Sequence, residues 1–155
     1  MKKLLFVLLL SLSVTASFAQ EELKFSSGRD KHDGKPQLFA GLSQKISVKA
    51  GFIDEVMNSK MNEEVTLQVV EGFAFTGKVI SKSSDVPGLE TVTVENSSRK
   101  GFVLTLSKIT TPVDGVTYRG MLKGRDFSDI LLLEKDIVTG FYQWIKKKLS
   151  QAISD

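Results

Sequence analysis

The chain has 155 residues, with 21 Lys+Arg against 18 Asp+Glu, one His, one Trp and no Cys. That length suits one domain, because a single core serves about 100–200 residues. The missing thiol excludes disulfides, thiolate metal sites and cysteine nucleophiles.

Met1-Lys2-Lys3 is a short cationic start, followed by the apolar run Leu4 to Leu12 and a small-residue stretch ending in Ser17-Phe18-Ala19. Ser17 and Ala19 at the −3 and −1 positions predict signal-peptide cleavage after Ala19. The apolar run is short of the roughly 20 residues that a spanning helix needs. Cleavage would remove two lysines and leave 136 residues with 19 positive against 18 negative charges. A body so close to neutral has little long-range pull on phosphate backbones, so no nucleic-acid partner is expected. The leader and the missing cysteines predict an exported protein, periplasmic or secreted, of bacterial type.

Residues 20–44 are polar and punctuated, as in Ser26-Ser27-Gly28-Arg29-Asp30-Lys31-His32-Asp33-Gly34, and read as a lead-in or surface loop. Leu38, Phe39 and Leu42 are the candidates for the start of packing, with the β-rich domain placed at 45–155. Ile46 and Val48 alternate as in a first short strand, and Phe52 to Met61 carries apolar residues at helical intervals. From Val65 the period becomes two. Val65, Leu67 and Val69 face one way, Glu71-Gly72 turns the chain, and Phe73, Phe75 and Val79 answer them, which predicts a β-hairpin. Gly77 falls on the apolar side of its run, a position that marks a bend or a close backbone approach.

Turns are expected at Asp85–Gly88, Asn96–Gly101 and Pro112–Gly115, with strands over Thr91–Glu95, Phe102–Ser107 and Val116–Leu122 between and after them. Gly120 again sits on the apolar side, and Ile130-Leu131-Leu132-Leu133 reads as a strand covered on both faces. The pattern predicts a mainly β (α+β) domain: one antiparallel meander, curled or barrel-like, with a short helix near 52–61 and a C-terminal helix. The end of the chain admits two readings. Ile137, Phe141, Ile145, Leu149 and Ile153 recur every four residues, favouring an amphipathic helix from roughly 140 to 153. The aromatic stretch Phe141 to Ile145 after Gly140 would also suit a final strand paired with 130–133.

Catalytic groups do not converge in the sequence. The one imidazole, His32, lies in the lead-in beside Ser26, Ser27, Asp30 and Asp33, with no core to hold a triad. Asp30, His32 and Asp33 supply too few ligands for zinc, and no metal or other cofactor is expected. Asp126, Asp129 and Glu134, with the adjacent pairs Glu63-Glu64 and Asp54-Glu55, leave a small hydrolase using paired carboxylates as the lesser reading.

Two binding readings carry more weight. In the first, a curved sheet rich in Phe73, Phe75, Phe102 and Phe127 presents an apolar face or an open edge to a protein, peptide or lipid partner outside the cytoplasm. In the second, the tail is a peripheral membrane-surface contact. There Tyr142 and Trp144 would sit at headgroup level and Lys146, Lys147 and Lys148 would attract anionic lipid. The first reading is preferred, with those five tail residues as the candidate contacts of a partner or membrane.

Overall fold

The computed structural model describes residues 34–152. The leader with Ser17 and Ala19, and the group Ser26, Ser27, Asp30, His32 and Asp33, lie outside the described residues. The elements in chain order are β1 (Lys45–Ser47), α1 (Phe52–Asn58), β2 (Glu64–Val70), β3 (Phe73–Val86), β4 (Leu89–Asn96), β5 (Phe102–Thr111), β6 (Gly115–Gly124), β7 (Asp129–Lys135), β8 (Tyr142–Lys148) and α2 (Leu149–Ala152). The eight strands form one antiparallel sheet in the order β1-β8-β7-β6-β5-β4-β3-β2, curled into a half-barrel. Apart from β1, every strand therefore lies beside its sequence neighbour, as the run of short turns predicts.

Alternation sets the two faces. Leu67 and Val69 of β2, Phe75 and Val79 of β3, Val92 and Val94 of β4, and Leu104 and Leu106 of β5 are fully buried on the concave side. Leu122, Leu131, Leu133 and Trp144 complete that layer from β6, β7 and β8. Residues between them point to the convex side, the period-two geometry of a pleated strand. Gly77 is buried where an added Cβ would stand 2.5 Å from the Glu95 carbonyl oxygen and 2.9 Å from the Phe75 ring. Its missing side chain lets β3 and β4 close up at the bend.

Among the described residues no pairing joins β1 to β2, so the barrel stays open along that side. Two devices fill the gap. Helix α1 joins the edge strands and inserts Phe52, Val56 and Met57 into the core, with Phe52 edge-on to Trp144 at a centroid distance of 5.7 Å. The helix stops at Asn58, short of the predicted Met61, because Ser59 takes an extended conformation and Lys82 donates from Nζ to the carbonyls of Met57 and Ser59. Met61 is accordingly exposed. Across the interior, the Trp144 indole N–H donates to the Val69 carbonyl at 3.2 Å, tying β8 to β2.

The segment 36–42 closes one end of the half-barrel. Phe39 is buried, 5.8 Å from Phe73 and 6.5 Å from Phe102 between ring centroids. The buried carboxylate of Asp129 accepts the N–H groups of Leu38 (2.7 Å) and Phe39 (2.8 Å). Lys146 Nζ donates to the carbonyls of Phe39, Ala40 and Leu42. Packing of this end thus begins inside the stretch that the polar composition assigned to a lead-in, at the apolar residues Leu38, Phe39 and Leu42.

The C-terminal segment is corrected relative to the favoured amphipathic helix over 140–153. Residues Tyr142–Lys148 are a strand, paired from Lys135↔Tyr142 to Asp129↔Lys148, and only Leu149–Ala152 is helical. Among the described residues, β7 would lose its outer partner if this segment coiled.

Candidate functional site

In an antiparallel meander alternate turns lie at the same end. The β3–β4, β5–β6 and β7–β8 turns therefore gather at the end remote from Phe39, together with the link from β1 to α1. These turns carry uncovered apolar side chains: Val86 on the first, Val113 and Val116 on the second, Ile137, Val138 and Phe141 on the third. The β7–β8 turn is held rigid by Asp136, whose carboxylate accepts the N–H groups of Val138 (2.9 Å) and Thr139 (2.8 Å). Those donors, Thr139 first and then Val138, hold the Asp136 carboxyl below the usual carboxylate range.

The sheet splits at this end. β6 pairs with β5 along its whole length, but its pairing with β7 stops at Gly120↔Leu133. Gly115–Arg119 thus has no neighbouring strand on the β7 side, among the described residues. In the opening, the Tyr118 N–H donates to the Tyr142 hydroxyl at 2.9 Å, and the two rings meet edge to face at 5.6 Å. A cleft of about 570 Å³ lies between the diverging strands, lined by Tyr118, Arg119, Leu132, Glu134, Lys135 and Tyr142 among others. A second, of about 680 Å³, shares the two tyrosines and reaches Val48, Ile53, Asp136 and Phe141. The tyrosine pair is therefore the wall common to both clefts. Beside it, Lys108 lies across from Tyr118 in the β5–β6 register and pairs with Glu90 at 3.0 Å. The hydrogen bond and the charge of Glu90 raise the Lys108 ammonium above its ordinary pKa.

Of the five residues singled out in the tail, the structure brings one to this site. Tyr142 lines both clefts. Trp144 is fully buried as a core residue, so it offers no surface to a partner or a membrane in this conformation. Lys146 is half-buried and engaged with the carbonyls of the 36–42 segment. Lys147 pairs with Glu134 at 3.4 Å on the convex face, and Lys148 is exposed at the opposite end of the sheet. A strand separates these side chains onto two faces, where a helix would have gathered them into stripes.

The carboxylates are also dispersed. Asp129 caps the 36–42 segment, Glu134 pairs with Lys147, Glu63 accepts the Lys60 N–H and Glu64 accepts from Ser97. Among the described residues no group of three or more His, Cys, Asp or Glu side chains is placed to hold a metal ion. The phenylalanines expected on a concave face are mostly consumed by it: Phe75 and Phe102 are buried against each other at 5.1 Å, and Phe127 lies half-buried under Arg99. Sequence reasoning missed Tyr118, Arg119 and Lys135, because the split between β6 and β7 is a property of pairing and leaves no local mark. No family model, curated protein or solved structure matches the chain.

Proposed function

We propose that the mature chain is a small exported, non-catalytic binding domain that engages a protein partner outside the cytoplasm through the turn-bearing end of the half-barrel. One observation carries this reading. On neighbouring turns at that end Val113, Ile137, Val138 and Phe141 are 90%, 98%, 89% and 77% exposed. Ile137, Val138 and Phe141 share the one short β7–β8 turn, and large apolar side chains grouped in this way mark an interaction surface, whereas isolated ones need no explanation. The remainder of the concave face is filled by the chain's own side chains, which favours contact at the rim over a ligand enclosed within.

Attachment of the tail to a membrane surface receives less support, since Trp144 and Lys146 are already engaged inside the fold. A photo-crosslinking residue placed at Val138 in the native compartment is expected to yield discrete protein adducts. The same residue at Lys78, which is exposed on the body of β3, is expected to yield none. Equal adducts at both positions, or none at either, would refute the proposal.

A further inference from the structure

We infer that the split between β6 and β7 is a binding slot for an extended polypeptide segment of the partner, added as a strand with apolar side chains inward and acidic ones outward. This deepens the proposal above and rests on it.

The backbone supplies the first argument. N–H and C=O groups of successive residues in an antiparallel strand point alternately to the two neighbours. The Tyr118 N–H reaches the Tyr142 hydroxyl, so Tyr118, and with it Val116, directs its backbone groups into the slot. On the other wall the Asp136 N–H donates to the Phe141 carbonyl within the β7–β8 hairpin, so Lys135, one residue earlier, faces the slot as well. The Val116 N–H and carbonyl, the Tyr118 carbonyl, and the Lys135 N–H and carbonyl are thus presented without a strand partner among the described residues. Such a row specifies an extended backbone, and Gly115–Arg119 offers room for about five residues at ~3.4 Å each.

Tyr142 explains how the slot stays open. In continued register Tyr118 would lie opposite Lys135, and the Tyr142 hydroxyl occupies the acceptor position that the Lys135 carbonyl would have filled. The Tyr142 side chain can swing aside about χ1, as a backbone carbonyl in a paired strand cannot, and an incoming carbonyl can then take over the Tyr118 N–H.

Charge supplies the second argument. Arg119, on the outward side of the slot, has no ion pair among the described residues, and Glu134 beside it is paired with Lys147. A residue added opposite Tyr118 turns its side chain toward the groove of Val48, Ile53 and Phe141, and its neighbour opposite Arg119 turns outward. The segment that fits alternates apolar and acidic residues.

The test uses the full mature chain and a blocked peptide of about seven residues alternating valine and glutamate, with its counterpart N-methylated at alternate residues. In the free protein the Val116 and Lys135 amides are expected to exchange freely. Saturating peptide should slow both by about ten-fold or more, leaving the Thr117 and Arg119 amides, which point to β5, unchanged. The methylated peptide should have no effect. Tyr142→Phe, which frees the Tyr118 N–H in advance, should bind the peptide about five-fold more tightly.

The inference is overturned if millimolar peptide leaves both amides unprotected, if the methylated peptide protects them equally, or if Tyr142→Phe binds more weakly. Protection that depends on protein concentration without peptide would also overturn it, by assigning the slot to a second copy of the chain. Crosslinks at Val138 with an unprotected slot would sink this inference alone, whereas the absence of both would sink the proposed function too.

Discussion

Asp129→Asn tests how the closed end of the half-barrel is held. The carboxylate of Asp129 is 2% exposed and accepts two backbone N–H groups, from Leu38 at 2.7 Å and Phe39 at 2.8 Å. The amide keeps one oxygen acceptor and turns an NH₂ group toward the other donor, so one buried N–H loses its partner. A hydrogen bond to a charged group contributes about 1.5–3 kcal/mol net, and an unsatisfied buried donor costs about 1–3 kcal/mol. These overlap, so the expected loss is about 2–4 kcal/mol, with the domain still folded within an ordinary stability of about 5–15 kcal/mol. Urea unfolding followed by Trp144, the one tryptophan of the chain and fully buried, reads it directly. With a slope of about 2 kcal/mol per molar urea, the midpoint should fall by about 1–2 M. The Leu38 and Phe39 amides should lose exchange protection beyond the global change. A midpoint shift below about 0.3 M, or undiminished protection of those two amides, would refute the reasoning.

Three other outcomes follow from the same geometry. Trp144→Phe removes the N–H that satisfies the Val69 carbonyl and shrinks the ring against Phe52, so stability should fall by about 2–3 kcal/mol, measured by circular dichroism because the fluorophore is gone. Gly77→Ala puts a Cβ 2.5 Å from the Glu95 carbonyl oxygen, and since backbone cannot yield as a flexible side chain does, the loss should be about 1–3 kcal/mol by thermal unfolding. Asp136 has its pKa lowered by the Thr139 and Val138 N–H groups, so its contribution is present above the ordinary carboxylate value of about 3.9 and is lost as pH falls below it. The Val138 and Thr139 amides should therefore lose protection in acid, and Asp136→Asn should abolish that dependence.

Much of the sheet is legible locally. Alternation in Val65–Val69, Phe73–Val79 and Phe102–Leu106 sets which side chains are buried, and Gly72, Gly88, Gly101 and Gly115, all at positive φ, place the turns that separate the strands. The long hairpin over β3 and β4 is less so: Ser81–Asp85 are polar, and they continue as strand because β4 and β5 extend beside them. The tail shows the limit most plainly. Phe141, Ile145 and Leu149 are spaced by four, a multiple of two as well as about one helical turn, so the same spacing fits a strand face and a helix stripe. The outcome depended on β7, whose pairing from Asp129 to Lys135 needed a partner.

The candidate site divides in the same way. Tyr142 is visible in the sequence as an aromatic near the end of the chain, but its contact with the Tyr118 N–H, 24 residues away, is not.

The amino-acid order by itself determined which residues seek the interior, where the chain reverses, and that no thiol chemistry is available to it, because these depend on neighbours within a few positions. Only the tertiary structure decided that Trp144 spans the core, that Lys146 and Asp129 fasten the 36–42 segment, and that β6 parts from β7 to leave a slot. Each of those joins groups remote in sequence, and hydrogen-bond partners at such range are chosen by the folded geometry and not by local propensity.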